Sequence, residues 1–414
     1  MALREQAKMA GIEATFKVVT PMFMSGAEQS QAELRLPSIK GALRFWWRAL
    51  AWGRLNGDLA EIRRQENALF GSTATGQAAV LMKLHPYQVE THELKSNKKD
   101  RVLYDRDNVI GDGARYLGYG VMHAFTSRDR HTQEVKNYEG ELIRPCLLAP
   151  FTFRVSMMCK LSVQEEQVTQ LKEAIQLFGL IGGLGSRARK GYGSVMLMRL
   201  EHNGEVWQPP EKLDGVKQVL ETFKAASSHI DQQPPPYTAL SANSRFVLIE
   251  GNHNESALSL LSRIGREQVF YRSWGKNGKV LQRPREENFK EDHDLMKNIP
   301  TRIDYPKRIA FGLPHNYGKS KHLHVTPSNH DRRSSPLFLH IHQHNQHPPI
   351  AILSFLPAVF LPEGESIILF NTPEPFQENT TFWQPVTDFL ERLKGEHQQK
   401  PLKRSESFAQ VVEV

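Results

Sequence analysis

The sequence predicts an α+β protein in two halves, of which the first has the element order of a ferredoxin-like domain. Three observations support this prediction. The chain has 414 residues, enough for two domains that each bury a core. Apolar residues alternate with polar ones in some segments and recur at helical spacing in others. A run of three prolines then interrupts the chain near its middle.

The first half, residues 1–226, contains four predicted strands and two predicted helices. β-branched and aromatic residues predict the strands, and apolar residues at intervals of three and four predict the helices. In chain order these are a strand at 12–24, a helix at 38–50, strands at 77–84 and 151–157, a helix at 163–178 and a strand at 194–200. This order is the βαββαβ pattern, which is also that of the RRM. Residues 85–145 are polar and charged, and we interpret them as an insertion rather than as core.

Residues 227–240 are predicted to link the two halves. They are polar and contain Pro234-Pro235-Pro236, so we expect an extended segment that buries no core. The second half, residues 241–414, has predicted strands at 245–250, 337–342 and 351–359, and predicted helices at 257–274 and 381–393. We expect a second α+β unit of similar kind, with a polar tail beyond residue 395.

Composition excludes several classes of protein. The net charge of +8 at pH 7 favours an anionic partner such as nucleic acid. The chain has no run of about 18 apolar residues and no signal-peptide pattern, so we expect a cytoplasmic protein without a membrane partner. Cys146 and Cys159 are the only cysteines, which excludes a disulfide framework and a cysteine-bound zinc site.

The segment Pro37-Ser-Ile-Lys-Gly-Ala-Leu-Arg-Phe-Trp-Trp-Arg48 is the most informative in the chain, and we predict a helix with Ser38 as its N-cap. At about 100° per residue, one face is apolar and is predicted to be buried. That face consists of Ile39, Leu43, Trp46 and Leu50. The neighbouring face is basic and has an indole at its border, and it consists of Lys40, Arg44, Arg48 and Trp47.

Such a face suits an RNA backbone with a base stacked on Trp47, because cations bind phosphates and indoles stack on bases. A charged face that merely meets water is the alternative interpretation of the same pattern.

A glycine-rich loop between residues 179 and 193 is the second candidate site. Glycines let main-chain N–H groups approach a phosphate, and the cations between them supply charge. Its candidate RNA-binding residues are Gly182, Gly183, Gly185, Ser186, Arg187, Arg189, Lys190 and Gly191. No Walker A Gly-Lys-Ser/Thr is present. A dinucleotide fingerprint must follow a strand and open a helix, whereas this loop follows a predicted helix and opens a strand. Both sites flank the same predicted sheet, and we expect helix 38–50 and loop 182–193 to face one groove.

These motifs resemble the RAMP superfamily of CRISPR proteins, and within it the family of first-numbered subunits of the Cmr (type III-B) effector complex. The resemblance rests on Thr20-Pro-Met-Phe-Met-Ser-Gly-Ala27, on the segment 32–50 with its Phe-Trp-Trp-Arg, and on the glycine loop. Three further stretches fit the same family: Phe70-Gly-Ser72, Tyr116-Leu-Gly-Tyr-Gly120, and Arg308-Ile-Ala-Phe-Gly-Leu-Pro314 with Ser335-Pro-Leu337. Lysine stands at positions 40 and 190, where the family often carries arginine, and it lacks the bidentate fork.

The resemblance implies a non-catalytic RNA-binding subunit with two tandem ferredoxin-like domains and no cofactor. It would engage the guide RNA near its 3′ end and the target RNA in antiviral defence, beside other Cmr-type RAMP subunits. Two alternatives stay open. One is a RAMP-type endoribonuclease that processes guide RNA with a histidine base, for which His123 and His131 lie in the insertion. The other is a purely structural assembly subunit.

A cluster of histidines lies between His315 and His347. His340, His342 and His344 alternate, so a strand would place them on one face. Alternate residues on a straight strand lie about 6.6 Å apart, too far for one zinc ion without other ligands. We therefore assign no metal site, although zinc binding remains an alternative to a simple titrating cluster.

Overall fold

The computed structural model describes residues 11–94, 97–227, 234–297, 305–318, 320–344 and 346–414. An antiparallel sheet lies at the centre of each half, and helices pack on both, which gives a mixed α+β fold. The strands of these two sheets are numbered β1 to β9, and the helices α1 to α8, in chain order. The helices are α1 Leu36–Arg54, α2 Leu59–Phe70, α3 Asp112–Leu117, α4 Glu165–Ile181, α5 Leu213–Ala225, α6 Ala257–Arg272, α7 Lys290–Lys297 and α8 Gln384–Lys394.

The first sheet contains the four strands that the sequence predicts and one short additional strand. Its members are β1 Gly11–Val18, β2 Val80–Leu84, β3 Phe151–Cys159, β4 Val195–His202 and β5 Glu205–Trp207. Their order across the sheet is β5-β4-β1-β3-β2, with every pair antiparallel. Along β3 the residues alternate between buried and exposed, as the alternating sequence predicts. Helices α1 and α4 pack against each other, and α4 packs against β4.

The second sheet consists of β6 Arg245–Glu250, β7 Leu337–His342, β8 Ile350–Phe355 and β9 Gln410–Glu413. Their order is β7-β8-β6-β9, again antiparallel throughout. Helices α6 and α8 contact this sheet, and α4 and the glycine loop of the first half contact β7. Every residue of β7 and β8 is buried, because both of their faces are covered.

The predicted polar tail is wrong in part. Residues 410–413 form β9, which pairs with β6 and completes the second sheet. The segment Gln-Val-Val-Glu is short and half polar, so its sequence carries little strand signal, and the free edge of β6 supplies the missing partner.

The insertion 85–145 contributes to the core, which corrects the expectation that it would not. Buried residues of the insertion pack in the core cluster of the second half, and they include Ile110, Ala114, Leu117, Val121 and Met122. Helix α3 lies against α6, where the main-chain N–H of Ala114 donates to the Ser262 hydroxyl at 3.3 Å. A side chain at Gly113 would overlap the Ser262 carbonyl, so the two helices approach through glycine.

The linker is only partly as predicted. Residues 228–233 lie outside the described part of the chain. Residues 234–240 pack against the first half: Ala239 and Leu240 are fully buried, and the Leu240 N–H donates to the Ala49 carbonyl at 3.0 Å. The prolines therefore do not prevent this segment from burying apolar surface.

Smaller elements surround the two sheets. Two strand pairs lie in the insertion, a third joins the insertion to the two residues that follow it, and a fourth lies between α6 and α7; a four-stranded sheet lies in the second half. Their bounds are Thr91–His92 with Cys146–Leu147, Tyr104–Asp105 with Asn108–Val109, Ser127–Arg128 with Val135–Asn137, Lys279–Val280 with Arg283–Pro284, and His315–Asn316, His324–Pro327, Ser366–Leu369 and Thr372–Pro375. Among the helices of the described ranges, none combines the length and the apolar character that a membrane crossing requires.

Candidate nucleic-acid interface

Helix α1 begins two residues earlier than predicted. Its N-cap is Arg35, which makes no side-chain capping bond, and Pro37 lies in the first turn. Ser38 is therefore inside the helix and is not its cap, because a proline in the first turn lets the helix start before it. The apolar face is as predicted, since Ile39, Leu43, Trp46 and Leu50 are all buried.

The basic face of α1 meets a carboxylate. Glu66 on α2, which is buried, pairs with the Arg44 guanidinium and with Arg48 Nη1 at 3.3 Å. Arg44 also donates to the Asn67 side chain at 3.1 Å and to the Gly71 carbonyl at 3.3 Å. Arg44 thus ties α1 to α2 and to the turn that follows it, and its charge is largely compensated.

Arg48 and Lys40 are less constrained. The Arg48 guanidinium lies over the Tyr237 ring at 5.4 Å and shares the α1–α2 cavity, of about 480 Å³, with Arg44 and Arg63. Lys40 is half-buried, and within the described ranges its amine has no ion-pair or hydrogen-bond partner.

The assignment of a base-stacking role to Trp47 is wrong. Its side chain is fully buried, with its ring 6.2 Å from that of Phe70 in an edge-on arrangement. Because α2 covers the border of the basic face, Trp47 has no exposed ring surface for a base. Trp46 is buried as predicted, and its ring lies 5.5 Å from Phe338 of the second half.

The backbone of the glycine loop requires glycine at specific positions. Gly185, Gly191 and Gly193 have φ values of 84°, 83° and 58°, in the left-handed region that other residues rarely adopt. A Cβ on Gly185 would lie 2.5 Å from the Phe23 carbonyl oxygen. The loop therefore lies directly on the segment that follows β1, and the Ser186 N–H donates to the same carbonyl at 2.7 Å.

The three loop cations have different surroundings. Arg187 is exposed and itself has a positive φ of 66°. Arg189 turns into the interface between the halves, where it donates to the Ser335 carbonyl and its guanidinium lies 4.3 Å over the Phe338 ring. Lys190 is half-buried; burial and then Arg272 lower its pKa to about 7. Of the three, Arg187 is the most exposed.

Two of the loop glycines serve the interface between the halves. The Gly182 carbonyl accepts a hydrogen bond from His340 Nδ1 at 2.7 Å. Gly191 lies against Leu261 and Leu339, where a side chain would not fit. Their positions are set by packing, and neither lines the groove described next.

Helix α1 and the glycine loop share one groove, of about 400 Å³. Its lining residues are Phe23, Met24, Ser25, Gln29, Ser38, Ala42, Arg144, Pro145, Gly183, Leu184, Gly185, Ser186 and Ala188. The expectation of a shared groove is thus met, but through Ser38 and Ala42 rather than through the arginines of α1. Arg44 and Arg48 line the separate α1–α2 cavity.

Sequence reasoning missed Arg144, an exposed residue that lines this groove. It lies at the end of the insertion, and no local pattern connects it to the loop. Within the described ranges neither Arg144 nor Arg187 has an ion-pair partner. The groove therefore combines small side chains, exposed backbone and unpaired positive charge, a combination that suits a phosphate chain.

The histidines lie on one face of β7 and its extension, as predicted. The ring centroids of His340 and His342 are 6.1 Å apart, and those of His342 and His344 are 5.5 Å apart. Among the described residues, the one group of three that could hold a metal ion is Glu391, Glu396 and His397, so the three imidazoles do not converge on one ion. Burial lowers the pKa of His340 to about 4, and it also lowers the pKa of His342.

The chain is similar to several known proteins. Residues 15–196, which run from within β1 through α1 and the glycine loop into β4, match the model of the RAMP superfamily. It is similar to the CRISPR system Cmr subunit Cmr1-1 of Pyrococcus furiosus, with 26% identity over 373 residues, 86% of this chain and 90% of that protein.

Two further known proteins are similar to this chain. Cmr subunit Cmr1-2 of Pyrococcus furiosus is 28% identical over 186 residues, 44% of this chain and 93% of that protein. The crystal structure of Cmr1 from Pyrococcus furiosus in its apo form superimposes with a TM-score of 0.53 at 18% identity, over 91% of this chain and 96% of that chain. At this identity the superposition establishes a common fold.

Proposed function

We propose that this protein is a non-catalytic RNA-binding subunit of a type III-B CRISPR (Cmr) ribonucleoprotein effector complex in the cytoplasm. Its partners in this proposal are the guide RNA near its 3′ end, single-stranded target RNA and other Cmr-type RAMP subunits. The similarity to Cmr subunits over most of the chain supports the complex. The groove between α1 and the glycine loop supports RNA as the ligand.

The proposal includes two ferredoxin-like domains. In each half, elements in the chain order strand–helix–strand–strand–helix–strand form one antiparallel sheet. Across the two sheets the strand orders β4-β1-β3-β2 and β9-β6-β8-β7 are equivalent. The described residues that line the groove all belong to the first domain.

The groove is the observation that carries the proposal. Arg144 and Arg187 have no carboxylate partner in the described ranges, and phosphate oxygens are the partners that such guanidiniums bind in nucleic-acid complexes. Gly183, Gly185, Ser186 and Ala188 line the groove with small side chains or none, so that a ribose-phosphate chain meets little side-chain bulk along the loop.

The proposed role is binding without cleavage. The groove lining, which lies entirely within the described ranges, contains no histidine and no carboxylate. Cleavage of RNA through its 2′-hydroxyl needs a base within hydrogen-bond reach of that hydroxyl. His123 and His131 belong to the insertion and are not among the lining residues.

The test is a titration of the full chain with single-stranded RNA at several salt concentrations. We expect the double variant R144Q/R187Q to weaken binding and to lower the magnitude of the log–log salt slope by about 1.4, since each contact contributes about 0.7 with single strands. R63Q, an exposed arginine of the α1–α2 cavity, is the matched control and should bind like the parent protein. No RNA binding by the parent protein would favour the assembly role, and cleavage that one histidine substitution abolishes would favour the endoribonuclease.

A further inference from the structure

Tyr119 is the most exposed large apolar or aromatic side chain in the described ranges, with 73% of its surface accessible. It stands on an ordered turn after α3: its N–H donates to the Tyr116 carbonyl at 3.1 Å, and the Val121 N–H donates to the Gly118 carbonyl at 3.0 Å. An exposed aromatic ring on an ordered turn offers a partner a flat apolar surface.

Arg187 of the glycine loop lies beside this turn. Gly120 has a φ of 86°, and a Cβ built on it would lie 2.9 Å from Arg187 Nη2. The absence of a side chain at Gly120 thus makes room for the guanidinium next to Tyr119. Any other residue at this position would strain the turn and displace Arg187.

Two more arginines approach from other parts of the chain. Burial, and then the charges of Arg332 and Arg144, lower the pKa of the Arg187 guanidinium, while Tyr119 raises it. Arg332 belongs to the second half and is exposed. Its position is fixed by its neighbour Arg333, which exchanges main-chain hydrogen bonds with Leu313 and donates to the Val359 carbonyl at 3.2 Å.

These three arginines repel one another, and no carboxylate in the described ranges compensates them. Several other arginines are paired with carboxylates, as Arg44 is with Glu66 and Arg392 with Glu267. An exposed aromatic ring next to unpaired guanidiniums is an arrangement with which proteins bind a phosphate and stack the attached base.

We infer that Tyr119, Arg144, Arg187 and Arg332 form a nucleotide subsite at the end of the groove, in which Tyr119 stacks on a base and the arginines bind its flanking phosphate. This inference rests on the proposed RNA-binding function and adds to it a base contact from the insertion and a phosphate contact from the second half. It also replaces Trp47 as the stacking residue.

The experiment uses the full chain and two probes: single-stranded oligoadenylate, and inorganic polyphosphate, which has the charge but no bases. We expect Y119A to weaken oligoadenylate binding about tenfold, within the range of base–aromatic stacking, and to leave polyphosphate binding unchanged. Y119F keeps the ring and should bind like the parent protein. R332Q should weaken binding of both probes. F125A, at an aromatic position 64% exposed in the same insertion, is the control and should change neither.

The outcomes separate the two proposals. Parent-like oligoadenylate binding by Y119A, together with weaker binding by R187Q, would overturn the subsite and leave the proposed function standing. Equal losses of both probes in Y119A would also overturn it, because stacking requires a base. A parent protein that binds no RNA would overturn both. Tyr119 is exposed, so its substitution is not expected to affect folding, which thermal unfolding checks.

Discussion

Glu66 forms ion pairs with both Arg44 and Arg48, the two arginines that the α1 sequence pattern predicts to bind RNA. The carboxylate is buried and the guanidiniums are about one-third exposed, with side-chain accessibilities of 35% and 38%. A phosphate at this face would compete with Glu66. Arg144 and Arg187, which have no ion-pair partner in the described ranges, lie instead around the glycine loop.

Removing the Arg44 side chain should therefore affect stability more than RNA binding. R44Q leaves the Glu66 carboxylate with Arg48 alone, and we expect a loss of about 2 kcal/mol in the free energy of unfolding, less than for a fully buried pair because Arg44 is partly exposed. The double variant R44Q/E66Q should recover part of that loss. Urea unfolding measures both, and K40Q is the control on the same face. A stable R44Q protein that has lost RNA affinity would contradict this account.

Substitution of Trp47 should leave RNA binding intact in the folded protein. W47F retains most of the buried ring, and Trp47 Nε1 has no hydrogen-bond partner to lose. W47A should lower the free energy of unfolding by about 3–5 kcal/mol, as is usual when a large buried aromatic side chain is truncated. Affinity for RNA, corrected for the folded fraction, checks the claim. If W47F folds normally but binds RNA weakly, the indole has a role in RNA binding that its burial does not explain.

Substitution of Gly185 and of Gly41 by alanine tests whether the glycine loop requires its left-handed backbone conformation. G185A places a methyl group 2.5 Å from the Phe23 carbonyl oxygen in a left-handed conformation, and we expect a cost of about 1–3 kcal/mol and weaker RNA binding. G41A lies in α1 with no atom within 4 Å of the new methyl group, and it should stabilise the protein by about 0.5–1 kcal/mol. Thermal unfolding and RNA titration compare the two. Equal behaviour of both variants would show that the loop conformation is not required.

The buried histidines predict the direction of a pH effect. The pKa of His340 is lowered to about 4 in the folded state by burial, from about 6.5 when unfolded, so its neutral form favours folding. This contribution is complete above pH 6.5 and is lost as the pH falls toward 4. The loss of stability amounts to about 2 kcal/mol at pH 5. His342 changes stability in the same direction. Urea unfolding at pH 7.5 and 5 should show a smaller difference for H340Q than for the parent protein. An identical pH dependence would exclude His340 as its source.

Much of the fold follows from local pattern. Strands β1 to β4, helix α4 and the strands β6 and β7 appear near where the sequence predicts them, because each carries a local run or periodicity of apolar residues. Strand β9 does not, since a short half-polar segment pairs only where another strand offers a free edge. The core residues of the insertion are missed for a similar reason: Gly113 and Ser262 meet only in the tertiary structure.

In the candidate site, too, some features follow from local sequence motifs and others depend on the tertiary structure. The glycine loop and the basic helix are visible as local motifs, and both are present. The pairing of Arg44 with Glu66 depends on how α2 folds back over α1, which no spacing rule supplies. Tyr119 and Arg144 come from the insertion, and Arg332 comes from the second half. Their convergence could be recognised only from their contacts with Arg187 and the groove.

The most direct test of the central claim is photocrosslinking of the full chain to single-stranded RNA that carries 4-thiouridine, with the crosslinked peptides mapped by mass spectrometry. The account predicts crosslinks in residues 182–193, around Ser38 and Ala42, and at Tyr119, all of which decrease in R144Q/R187Q. Crosslinks confined to the α1–α2 cavity, around Arg48 and Arg63, and unchanged in R144Q/R187Q would contradict it.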